Sequence, residues 1–163
     1  MSLRYCYHEA GHALIARDLG RKVESLAASA VGGAVREEAL APNGTEEEIR
    51  RGLLVVFAGR EGEKYAPLDR PAKAEENGHV SVGELEALSL THLALESAPS
   101  DEAVIAHYTE RIGREAVEEA RELAVELVAR KAATGTLERL ADELSWRGVI
   151  TGDELEVILA PAA

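Results

Sequence analysis

The sequence predicts a mainly α fold (α+β) with one small β-hairpin or sheet near its N-terminus. Three observations predict it. Apolar residues recur at helical spacing between most of the Gly and Pro breaks. Helix-opening pairs such as Thr45 with Glu48 and Thr151 with Glu154 stand before several of these runs. The chain has only one Trp, one Phe and four Tyr, so the core must be built mostly from Ala, Leu, Val and Ile, which suits closely packed helices.

A first helix is expected from Arg4 to Leu19, ended by Gly20 in a left-handed turn. Two strand candidates follow, Val23–Ala30 and Ala34–Leu40, joined at Gly32-Gly33 as a hairpin. Pro42-Asn43-Gly44 makes a turn, and Thr45 opens a second helix through Tyr65, with Ile49, Leu53, Val56 and Phe57 on its apolar stripe. Residues 66–80 carry Pro67, Pro71 and Asn77-Gly78 and read as a loop. Ser81 with Glu84 opens a third helix that ends before Pro99, and a fourth runs from Ser100-Asp101 to Gly113. Arg114–Ala132 is a long helix with Val117, Leu123, Val125, Leu127 and Val128 as its apolar positions. Leu137–Trp146 follows, Gly148 breaks it, and Thr151 caps a short last helix. The 163 residues suit one domain, divided into 1–65, the loop 66–80 and the helical part 81–163.

Charge narrows the function classes. Acidic residues outnumber basic ones by 30 to 18, for a net charge of −12, and no Lys/Arg stripe is present. That balance argues against nucleic acid and against anionic membranes, both of which attract basic surfaces. Cys6 is the only cysteine, which excludes an internal disulfide and a cysteine-based zinc site. It lies about 200° around the helix from His8 and is assigned to packing. No apolar run reaches the roughly 18 residues of a membrane span, and no signal peptide is evident, so a cytoplasmic location is expected.

The chemistry is concentrated in His8-Glu9-Ala10-Gly11-His12. Residues four apart lie nearly above one another on a helix, so both imidazoles can face one metal ion. Glu9 is rotated off that face and is placed to hold the water that the metal activates and to take its proton. The small residues Ala10, Gly11 and Ala13 let a neighbouring segment approach closely. A catalytic zinc needs a third protein ligand. Asp18, ten residues after His8, would serve only if the chain turned at position 15. Ile15 continues the helix, leaving Asp18 about 15 Å along the axis. A glutamate on a second helix would be Glu61 or Glu63. His79, His92 and His107 are isolated and are assigned structural or solvated roles.

The segment Tyr7-His8-Glu9-Ala10-Gly11-His12-Ala13-Leu14 resembles the zinc helix of the FtsH peptidase family, the membrane-bound ATP-dependent proteases. Phe57-Ala58-Gly59-Arg60-Glu61-Gly62-Glu63 is similar to that family's Gly-Gly-Arg-x-Ala-Glu-Glu segment, and Leu137–Leu159 to its closing helices. The resemblance implies a helical zincin-like domain that binds Zn2+ and hydrolyses peptides or unfolded protein. It implies Asp101, in Ser100-Asp101-Glu102-Ala103, as the third ligand, with Asp69 and Glu63 as alternatives. An acidic residue in a first helical turn is also stabilised by the macrodipole with no metal involved. The resemblance further implies that Glu63 supports the site from behind the ligands, and that the domain self-associates into a homo-oligomer. The chain shows no phosphate-binding Gly-x-x-x-x-Gly-Lys-Ser/Thr loop, so unfolding of substrates falls to a partner ATPase. The alternative is a catalytically inactive zinc-binding or interaction module of the same fold.

Overall fold

A computed structural model describes residues 2–37, 44–67 and 100–160. The turn at Pro42-Asn43, the end of the second expected strand, the helix opened by Ser81, and Asp69, His79 and His92 lie outside the described residues. In chain order the elements are α1 (Leu3–Asp18), β1 (Val23–Ala28), β2 (Gly33–Glu37) and α2 (Glu46–Glu63). They are followed by α3 (Asp101–Ile112), α4 (Arg114–Ala133), α5 (Thr136–Arg147), β3 (Val149–Thr151) and α6 (Gly152–Leu159). The fold is mainly helical with a small antiparallel sheet, as the sequence predicts.

Helix α1 is the central element. It packs against α2, α5 and the sheet, and so buries residues all round: Cys6, Ala10, Ala13, Ile15 and Ala16 are fully enclosed. Small side chains make this possible. A Cβ on Gly11 would collide with the carbonyl of Ala58 on α2, and one on Gly62 would collide with the carbonyl of Tyr7 on α1. The two helices therefore meet backbone to backbone, which fixes their relative height tightly. Gly20, at φ 76°, ends α1: its N–H bonds to Arg17 O and that of Arg21 to Ala16 O, closing the last turn in the left-handed manner.

Capping decides where the next helices begin. Thr45 and Glu48 form the reciprocal pair at the start of α2, and Thr151 and Glu154 do the same for α6. The Ser100 hydroxyl accepts the Ala103 N–H at 3.3 Å, which sets Asp101 in the first turn of α3.

One strand lies beyond the expectations, and one expectation needs correction. The sheet has three strands in the order β2-β1-β3, with Ala28 opposite Gly33 and Ala27 opposite Val149. Strand β3 is only three residues long, too short to show a period of two, and it pairs only because α5 and α6 bring it beside β1. On α4, Leu123 and Val125 are 44% and 40% exposed, while Ala116, Ala120 and Ala124 are buried with Val117 and Val128. The buried stripe at 117, 120, 124 and 128 keeps helical spacing, and its alanines let α4 lie close to α2. No helix among the described residues is long and apolar enough to cross a membrane.

Candidate metal centre

His8 and His12 stand one turn apart on α1, and both side chains are largely buried. Their Nε2 atoms are 2.8 Å apart, so one ring donates an N–H to the other. Asp101, brought in by α3, places Oδ2 3.5 Å from His8 Nε2 and 3.7 Å from His12 Nε2. That oxygen is buried and accepts no hydrogen bond. An orphaned buried carboxylate oxygen is costly unless something completes it. The three ligand atoms lie within 4.8 Å of one another. Tetrahedral coordination at zinc–nitrogen distances would hold such atoms about 3.3 Å apart, so the two rings need to separate slightly and the carboxylate hardly at all.

The far side of each ring is held. His12 Nδ1 donates to the Val55 carbonyl at 2.7 Å, which leaves Nε2 as the atom facing the site. His8 Nδ1 is 2.6 Å from Glu63 Oε1, and Glu63 is held in turn by Arg4. Both contacts fix the orientation of the ring, the arrangement commonly found behind metal-binding imidazoles. Glu63 therefore contacts His8 on the ring nitrogen opposite the converging Nε2 atoms and lies outside the group of three. Glu61 is buried and pairs with Lys64, outside the ligand group. Asp18 pairs with Lys131 at 2.7 Å, and His107 packs its ring near that of Tyr108 at 5.2 Å.

Glycines shape the space. The His8 and His12 Nε2 atoms rest over the bare Cα of Gly59, where a Cβ would strike both rings. A Cβ on Gly33 would strike the Glu9 carboxylate, so the start of β2 roofs that side chain. Glu9 is 4% exposed, and burial pushes its carboxyl up to about 8; Asp101 and Glu63 add to the rise and His8 opposes it. Burial opposes charge on His8, but Asp101, Glu9 and Glu63 outweigh it and push it up to about 9. His12 goes the other way, lowered to about 4 by burial and by its neighbour His8. The two rings are thus pushed in opposite directions, with positive charge favoured on His8 over His12. Burial works against the Asp101 carboxylate, yet His8, His12 and Arg60 hold it below the usual range.

The site opens into a cleft of about 940 Å³, within the size range of ligand-binding clefts, with Val31, Val35, Val55 and Val56 on its walls. Sequence reasoning missed the Val55 carbonyl and the roles of Gly33 and Gly59. The glycines left a visible signal, since Gly inside a helix or strand marks close approach. A backbone carbonyl leaves none. Comparison of the whole chain with models of known protein families finds no match, and no curated protein matches it.

Proposed function

We propose that the domain is a zinc-dependent metallopeptidase-like hydrolase, with His8, His12 and Asp101 as ligands and Glu9 as general base. The observation that carries the reading is the convergence of two imidazole nitrogens and an orphaned buried carboxylate oxygen beside a buried glutamate. Two nitrogens and one oxygen, the imidazoles each oriented from behind, form a donor set suited to zinc. The likeness of the α1 motif to the zinc helix of the FtsH peptidase family supports the same assignment.

Bound zinc supplies Lewis acidity that brings the pKa of a water molecule to about 7. The protein does the rest. Glu9 accepts the water's proton at its carboxylate and passes it to the leaving nitrogen. Glu63 and the Val55 carbonyl keep the two rings aimed. Strand β2 is an edge of the sheet among the described residues and forms part of the cleft wall. It can align an extended peptide by strand addition. Peptides or already unfolded protein are the substrates this reading favours, with a partner ATPase to supply unfolded chains and with homo-oligomerisation as in the family it resembles.

The test is elemental analysis of wild type, His12→Ala and Asp101→Asn, followed by cleavage of a fluorogenic peptide pool. One zinc per chain in wild type, lost in His12→Ala and weakened in Asp101→Asn, is expected. Cleavage should vanish in Glu9→Gln with zinc retained. A protein that takes up no zinc sinks the reading. Zinc uptake with no Glu9-dependent cleavage leaves an inactive zinc-binding module.

A further inference from the structure

We propose that Arg60 is a further catalytic residue of this site, meeting the negative charge that develops on the carbonyl oxygen of the bond under attack. The inference rests on the metallopeptidase reading and names a residue to which that reading gives no role. Arg60 directly follows Gly59, the floor beneath the His8 and His12 ring nitrogens. Its side chain lines the same cleft as His8, Glu9, His12 and Asp101 and is 41% exposed. Its charge reaches Asp101, where it helps hold the carboxylate ionised.

Glu9 and Arg60 reach the cleft from different elements. Glu9 extends from α1 beneath β2, whereas Arg60 rises from α2 beside the start of α3. Hydrolysis needs both functions at separate atoms: a base for the water and a fixed positive donor for the carbonyl oxygen. A guanidinium stays charged at any working pH and offers several N–H donors. The present partner of Arg60 is Glu102, 71% exposed, and exposed ion pairs are worth little. Exchanging that carboxylate for a developing oxyanion therefore costs little. The other arginine of the cleft, Arg4, is engaged by Glu63, which holds His8, so moving it would disturb a ligand. Arg60 neither gives nor takes a proton. The water's oxygen bonds to the carbonyl carbon, the carbon–nitrogen bond breaks, and the proton travels through Glu9 to the leaving nitrogen.

The experiment compares wild type, Arg60→Lys and Arg60→Gln, each loaded with zinc and checked for metal content. Calorimetry measures binding of an alanine-rich phosphinic tetrapeptide, whose tetrahedral anion mimics the developing charge, and of the neutral ketomethylene peptide of the same sequence. Arg60→Gln should keep its zinc, lose about 100-fold in phosphinate affinity and bind the neutral peptide within about twofold of wild type. In peptide cleavage kcat should fall about 100-fold at nearly constant KM, with Arg60→Lys recovering part of the loss. Equal weakening of both ligands makes Arg60 a substrate anchor and overturns the proposal. So does unchanged binding of both, loss of zinc on substitution, or a wild type that binds phosphinate no tighter than the neutral peptide. A wild type that takes up no zinc overturns the metal reading and this one with it.

Discussion

Glu63 and Gly33 show how much of this site depends on residues outside the proposed ligand set. Glu63 holds His8 Nδ1 at 2.6 Å, fixing which ring nitrogen faces the cleft. Replacing it with Gln keeps the shape and removes the charge, and zinc affinity should fall about 10- to 100-fold, read by competition with a chromophoric chelator. An unchanged affinity would mean that the His8 ring is held by packing alone. Gly33 acts on Glu9. Gly33→Ala puts a methyl group where the carboxylate lies, so hydrolysis should be lost while metal content stays near that of wild type. Loss of both together would show that the hairpin supports the whole site and not the base in particular. The His-Glu-x-x-His spacing was legible from residue types, because a helix converts a separation of four into one face. The glutamate behind His8 was visible only through resemblance, since fifty-five residues separate the two.

At the scale of the element, caps were the most readable feature. Thr45, Ser100 and Thr151 each accept an N–H at a helix start, as side-chain chemistry next to the backbone dictates. Thr151→Ala should destabilise the protein by about 1 kcal/mol in denaturant titration. The same cap sets a pH dependence. Hydrogen bonds from the Thr151 N–H and hydroxyl hold the Glu154 carboxyl below its usual value. A lowered carboxyl contributes stability that is fully present above the ordinary glutamate range and is lost as pH falls through the folded-state value. The Tm gap between wild type and Glu154→Ala should therefore shrink on acidification below about pH 4.5 and be unaltered from there to neutrality. A gap constant into strong acid would assign the cap to shape alone. Strand β3 and the alanine stripe of α4 were not legible, for opposite reasons. Three residues carry no period, and small apolar residues look neutral until a partner helix is set against them.

Over the whole molecule, the proposed ligand set draws together two distant parts of the described fold. His8 and His12 come from α1, while Asp101 comes from α3, some ninety positions later. An ion bound there ties α3 to the central helix and stabilises only the folded chain. Zinc at about 100 times its dissociation constant should add about 2.7 kcal/mol. For a domain of this size that is a rise of roughly 5–10 °C in Tm over chelator-treated protein, measurable by calorimetry. Asp101→Asn should lose most of that rise. The same rise in wild type and Asp101→Asn would remove Asp101 from the ligand set.

By itself, the sequence determined the helical class, the hairpin, the caps and the histidine pair with its glutamate. Each depends on neighbours within a few residues, where backbone geometry converts spacing directly into position. Only the tertiary structure placed Asp101 beside the two histidines among the described residues, gave His12 the Val55 carbonyl, and showed which glycines make room for the rings. Those contacts join α1 to α2, α3 and β2 across long stretches of chain, and between α1 and α2 the approach is as close as Gly11 and Gly62 allow. Periodicity records which face of a helix is apolar, but not what comes to lie against it.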